Sequence, residues 1–312
     1  GSTLRGLSFT YNASDSFTPA TPAEDLFRRA LPNPTATGKD YGFGFSLFEG
    51  RAVIRLNRYE TKQINLRGGD ASAIASRVLH LDVASADSFQ LADQATRWVS
   101  ATNPTFTPQQ IRDEVARQIG LTQETQNALA NANPGIAATN DITGRGTELE
   151  LNVIPTRNWT IAASATETRA IGSNVSATVQ QWIDQRMPVW TSIVDPTLAS
   201  TAANPNRLWW LNNYGGSQTA AQSFATFVQA PYAVLLQQQG ASNPQVRRYH
   251  FRASTNYRLA DAFAENKWLK NVNIGGAVRW EDRGAIGYYG VQQLPAIITA
   301  LDVNRPIYDQ AH

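Results

Sequence analysis

Arg248-Tyr249-His250-Phe251-Arg252-Ala253-Ser254-Thr255-Asn256-Tyr257-Arg258-Leu259 alternates without a break. Odd positions carry Tyr249, Phe251, Ala253, Thr255, Tyr257 and Leu259, while even positions carry Arg248, His250, Arg252, Ser254, Asn256 and Arg258. A period of two places the first set on one side of an extended chain and the second on the other; helical spacing would mix them. The stretch therefore reads as a strand with one apolar and one polar face. Asn271–Glu281 repeats the pattern, with Val272, Ile274, Gly276, Val278 and Trp280 opposed to Asn273, Arg279 and Glu281. Upstream, Leu149, Leu151 and Val153 alternate with Glu148, Glu150 and Asn152, and Trp159, Ile161, Ala163 and Ala165 with Thr160, Ser164 and Thr166. Tyr41, Phe43, Phe45 and Leu47 share one face, as do Ile54 and Leu56, and Leu7, Phe9 and Tyr11 form a third such set.

Strands are expected over residues 4–12, 39–47, 51–64, 145–154, 158–171, 246–259 and 271–283. A turn is expected at Ile154-Pro155-Thr156-Arg157, because proline cannot serve a central ladder. Connections alternate between short and long, and two of the long ones run to about 75 residues, which soluble sandwiches rarely tolerate. Short turns at one end and long loops at the other fit a mainly β fold: a transmembrane antiparallel β-barrel segment with long helical extracellular loops. The helical excursions are placed at 65–144 and 172–245. Within them Thr107-Pro108 marks a helix start and Gly120 a stop, and Thr122 is a second N-cap. Val175, Val179, Trp182, Ile183 and Met187 form an apolar stripe that Pro188 is expected to break, and Phe224, Phe227 and Val228 form another before Pro231, with Gly240 as a stop. A soluble helical domain laced through a sheet is the competing arrangement.

The 312 residues include no Cys, which removes disulfides, thiolate metal sites and a Cys nucleophile. A net charge of +2 excludes a strongly basic nucleic-acid binder, and no apolar run reaches the ~20 residues of a spanning helix. His80, His250 and His312 form no ligand set, and no nucleophile-elbow, zinc-protease, phosphate-loop or dinucleotide motif is present. The reading is therefore non-enzymatic, with no catalytic residue, metal or cofactor; loop carboxylates such as Asp82 and Asp87 remain open as ion ligands. In the membrane arrangement Arg248, Arg252, Arg258 and Arg279 face a polar lumen. Trp159, Tyr249, Phe251, Tyr257, Ile274 and Trp280 face lipid or its boundary. Tyr249 and Tyr257 lie eight residues apart, about 26 Å along a strand. In the loops, Trp209, Trp210 and Tyr214 offer flat aromatic surface to a ligand, or pack a loop against its neighbour.

Gly42-Phe43-Gly44-Phe45-Ser46-Leu47-Phe48-Glu49-Gly50-Arg51, with Arg58-Tyr59-Glu60-Thr61, resembles the barrel region of TonB-dependent outer-membrane receptors, most of all the large forms of Verrucomicrobia-type bacteria. Gly146–Asn152 leading through Pro155–Trp159, Ser254–Arg258, Gly275–Trp280 and Leu301–Tyr308 carry the same resemblance. That family closes a barrel of about 22 strands around a plug. The resemblance implies that residues 1–312 are a partial, central-to-late barrel portion without the plug, from a larger protein of the bacterial outer membrane. It implies import of a scarce nutrient such as an iron chelate, a cobalamin-like compound or a glycan. The implied partners are outer-membrane lipids, the missing barrel strands and plug, a TonB-type energy-coupling complex and the small-molecule or glycan substrate, with no nucleic acid. The alternative is a soluble secreted β-rich glycan-binding or glycan-processing protein with helical inserts.

Overall fold

The computed structural model of the chain describes residues 3–83, 87–131, 135–237, 239–240, 246–260, 262–288 and 306–310. Seven long strands form one antiparallel sheet: β1 (Leu4–Phe17), β3 (Thr35–Leu47), β4 (Ala52–Arg67), β6 (Thr139–Thr156), β7 (Trp159–Ser173), β8 (Tyr249–Arg258) and β9 (Asn273–Glu281). Their spatial order is β1-β3-β4-β6-β7-β8-β9, so each strand pairs with its nearest neighbours along the chain. The short β2 (Ala23–Glu24) and β5 (Gly135–Ile136) pair in parallel beside the sheet, and β10 (Ala285–Tyr288) pairs with β11 (Pro306–Tyr308).

Tight connections gather at one end of the sheet. Between β3 and β4 the chain reverses through Phe48, Glu49 and Gly50, all at positive φ (51°, 59° and 87°). Glycine fits the last without a Cβ penalty; Phe48 and Glu49 accept left-handed geometry as the cost of the reversal. The turn after β6 lies at Arg157-Asn158, later than expected, and β6 continues through Pro155 to Thr156. The pairing register skips between Val153 and Thr156, so the missing proline N–H falls where the ladder is already broken.

Helices collect at the other end. Between β4 and β6 come α1 (Gly69–Leu79), α2 (Leu91–Thr102), α3 (Pro108–Ile119) and α4 (Gln123–Ala130). Between β7 and β8 come α5 (Ala177–Ser192), α6 (Ala220–Ser223), a π-type segment over 224–229 and α7 (Ala230–Leu236). Thr107 caps α3 in a capping box with Gln110, Pro108 occupies its first turn, and Gly120 ends it at φ 68°. Thr122 caps α4 through Thr125 N–H. Pro188 does not break α5, which runs on to Ser192. The last turn is held by a tertiary contact: Trp190 is fully buried and its indole N–H donates to Asp82 at 2.9 Å. At Pro231 the preceding π-type turn shifts the hydrogen-bond pattern, so the missing N–H interrupts no regular α-helical bond. The helix ends at Leu236, before Gly240, whose N–H donates to Gly172 O.

The hydrophobic core lies in the helical body. Its buried side chains include Val78, Leu91, Trp98, Ile119, Val179, Trp190, Trp209 and Val228. Ala52 is the one buried hydrophobic side chain that the described residues of the seven strands supply. This overturns the expected transmembrane β-barrel segment. The chain is a mixed α/β structure whose sheet is open: β1 and β9 each pair on one side only among the described residues, and no pairing joins them. Alternation specifies a two-faced sheet equally well whether it closes or stays open, so it could not establish closure. None of the described helices is long and apolar enough to cross a membrane. Residues 301–305 of the Leu301–Tyr308 resemblance, and His312, lie outside the described residues.

Candidate functional site

The pairing register extends the alternation of each strand into rows that cross the whole sheet. One row on the first face is Phe9, Phe43, Leu56, Leu149, Ala165, Phe251 and Trp280; the next is Leu7, Phe45, Ile54, Leu151, Ala163, Ala253 and Val278. A parallel row on the reverse face is Ser8, Gly44, Arg55, Glu150, Ser164, Arg252 and Arg279. Moving one residue along any strand crosses from one face to the other.

No described helix covers the apolar face. Phe9 is 60% exposed, Ile274 58% and Trp280 41%. Large apolar surface in this quantity marks a place where something else binds. The rings order themselves across strands: Phe9 and Phe43 lie 5.2 Å apart, and Trp159 meets Tyr257 edge-on at 6.2 Å. Trp159 Nε1 donates to Thr255 Oγ1 at 2.8 Å, leaving its ring on the apolar side with the polar atom satisfied. At the helical end of this face Tyr11 and Tyr41 lie 5.1 Å apart, with Tyr249 across the sheet in the same row. Aromatic residues with a polar tip therefore bound the apolar rows at both ends.

The polar face carries charge and small residues. Arg55 and Glu150 stand 3.8 Å apart, and Arg279 is hydrogen-bonded to Glu281. A cavity of about 540 Å³ is lined by Glu150, Asn152, Ser164, Arg252, Ser254 and Arg279. Arg252 and Arg279 are directly paired across strands, an unfavourable juxtaposition of like charges. Arg258, on the same face near the turn end, donates to Asn271 Oδ1 at 3.1 Å. Arg248 departs from these three. It precedes β8, and its guanidinium reaches Glu167 at 2.8 Å and sits 4.8 Å from the Tyr249 ring. Trp159, Tyr249, Phe251, Tyr257, Ile274 and Trp280 all occupy the apolar face by register.

The aromatic loop residues belong to the helical body. Trp209 is fully buried and its indole N–H donates to Phe89 O at 2.7 Å. Trp210 is partly buried, packed parallel to Trp190 with ring centroids 6.1 Å apart. Tyr214 donates to Asp195 Oδ2 at 3.0 Å, and burial together with that neighbouring carboxylate pushes its phenol pKa well up. Of the three, Trp209 has no exposed surface to offer.

Sequence reasoning missed the hub that joins the two helical excursions. Arg186 Nη2 and Nε bind Asp82 at 2.6 and 3.0 Å, Nη1 donates to Ile119 O at 2.7 Å, and both side chains are buried. Asp82 is thus committed to a guanidinium and an indole rather than to a metal ion. Arg186 lies 104 residues away, and no local spacing relates the two. Among the described residues no group of three or more His, Asp or Glu side chains could hold a metal ion.

No family model matches the chain, and no curated protein does. Among solved structures it is similar to the FpvAI–pyocin S2 complex (10% identity, TM-score 0.42, covering 98% of this chain and 24% of that one). It is also similar to the alcaligin outer-membrane receptor FauA of Bordetella pertussis (14%, 0.37, 88% and 27%) and the siderophore receptor PiuA of Acinetobacter baumannii (11%, 0.41, 98% and 26%). The chain spans about a quarter of the length of these proteins. Similarity this distant assigns neither family nor function. The resemblance to a central-to-late barrel portion of Verrucomicrobia-type receptors is corrected accordingly: the sheet is open, and no match supports that subgroup.

Proposed function

We propose that this chain is a non-enzymatic, transport-associated component of the bacterial outer membrane, working as part of a longer protein, with the apolar sheet face resting against lipid hydrocarbon. The observation that supports this reading is the continuous row Phe9–Phe43–Leu56–Leu149–Ala165–Phe251–Trp280, uncovered by any described helix, with a polar row one residue away on every strand. Lipid satisfies such a face without a second protein layer.

On this reading Phe251, Ile274, Trp280 and their neighbours touch lipid, while Arg252, Arg258 and Arg279 face an aqueous space. The proposed cargo is a scarce nutrient such as an iron chelate, a cobalamin-like compound or a glycan, met by the helical end through Trp210 and Tyr214. A TonB-type complex would supply the energy. The test is site-specific fluorescent labelling at positions 251 and 252 of the chain on lipid vesicles containing a lipid-confined quencher. Strong quenching at 251 and little at 252 is expected. Equal water access at both positions, with no quenching, rejects the lipid contact.

A further inference from the structure

Immediately beyond the Phe–Leu row, toward the helical body, the apolar face changes character. The next row is Tyr11, Tyr41, Arg58, Thr147, Glu167 and Tyr249, and the one after it is Ala13, Lys39, Glu60, Arg145 and Arg169. Four cationic side chains thus stand among two carboxylates, all on the face whose preceding rows are apolar. Arg145 and Arg169 are directly opposed across β6 and β7, which disfavours the bare sheet. The carboxylates only partly offset this: Glu60 meets Arg145 at 2.9 Å, while Glu167 is shared between Arg169 at 2.7 Å and Arg248 at 2.8 Å. Arg58 is exposed and has no ion-pair partner among the described residues. A cavity of about 260 Å³ opens between these groups, lined by Arg58, Arg145, Thr147, Glu167, Arg169 and Ile171.

We infer that this band is a binding site for the phosphate-bearing headgroup of an anionic lipid, with the acyl chains lying on the adjoining apolar rows. The inference rests on the lipid contact proposed above. The charged rows begin two to four residues from the Phe–Leu row, roughly 7–13 Å along a strand, a short step from hydrocarbon to headgroup. Planar guanidinium groups converging from three neighbouring strands suit the several oxygens of a phosphate. Free phosphate would satisfy the arginines and ignore the apolar rows. An acidic protein would need an apolar surface in register with its charges. A phosphorylated amphiphile satisfies both at once.

The experiment measures binding of the full chain to phosphatidylcholine vesicles with and without phosphatidic acid. The comparison is Arg58→Gln/Arg145→Gln/Arg169→Gln, with Arg112→Gln on α3 as a charge control outside the band. The triple variant is expected to lose affinity for the phosphatidic acid vesicles by about fivefold per arginine removed, while the control keeps it, and both variants are expected to bind pure phosphatidylcholine as the parent does. Equal binding of parent and triple variant to phosphatidic acid vesicles overturns the site. So does full competition by inorganic phosphate, which would make the free anion the ligand, or an equal loss in the control. If the parent binds neither vesicle type, the lipid contact itself fails and the headgroup site with it. Parent binding to phosphatidylcholine that phosphatidic acid does not strengthen removes the headgroup site alone.

Discussion

Arg186 shows how much a single side chain holds in this chain. It reaches from α5 to Asp82 and to the last carbonyl of α3, while Trp190 supplies a further donor to the same carboxylate. Both ions are out of water, so the pair gains little over a well-packed apolar substitute, but losing one partner strands the other. Arg186→Ala is therefore expected to destabilise the helical body by about 3–5 kcal/mol. Removing both charges, as Asp82→Leu/Arg186→Met, should cost clearly less. Urea unfolding followed through Trp fluorescence checks this, and a double variant as damaged as the single one would mean that the contacts around the pair, not its charge balance, hold the site.

At the scale of the element, α3 is written almost wholly in its own residues. Thr107 and Gln110 bond each other's backbone N–H groups, Pro108 starts the helix, and Gly120 closes it in a left-handed turn. Glu114 accepts from Arg117 and Gln118 one turn on, and these hydrogen bonds hold its carboxyl at about 2, below the usual carboxylate range. A carboxyl depressed in the folded state adds stability that is complete above its ordinary pKa of 4.5 and is lost as pH falls toward 2. Arg117 is 71% exposed, so screening keeps the gain below about 1 kcal/mol. Acid titration of thermal stability should show a shallower fall between pH 4.5 and 2 in Glu114→Gln than in the parent. A fall of unchanged slope would show that other carboxylates govern the acid response. The helix α5 and the segment after α6 are written less locally: each carries helical structure across a proline, Pro188 in the first and Pro231 in the second. In α5 the turn beyond the proline is held by Asp82, more than a hundred residues away in sequence.

The whole molecule divides its labour unequally. The helical body buries its own core, whereas the sheet leaves both faces bare. A sheet ordinarily hides its apolar face against another layer. Without detergent or lipid the chain is accordingly expected to self-associate through these rows. Light scattering should fall to the monomer value on addition of a non-ionic detergent, and Phe9→Thr/Phe43→Thr should need less of it. A monodisperse monomer in plain buffer would show that the exposed rows tolerate water.

The strands, their faces, both ends of α3 and the start of α4 are legible in the amino-acid sequence by itself, because each depends on neighbours one to four residues away. Alternation in Arg248–Leu259 places Phe251 and Arg252 on opposite faces, and Thr107-Pro108 with Gly120 brackets α3. Three things were decided only by tertiary structure. The sheet is open because closure depends on hydrogen bonds between distant edge strands, to which the alternation of each strand is indifferent. Trp209 is buried, although its neighbours Trp210 and Tyr214 sit nearer the surface, because packing against the backbone of Phe89 has no local signature. The cationic band exists because register brings Arg58, Arg145 and Arg169 from three strands to one place, and register is a relation between segments that no single segment encodes.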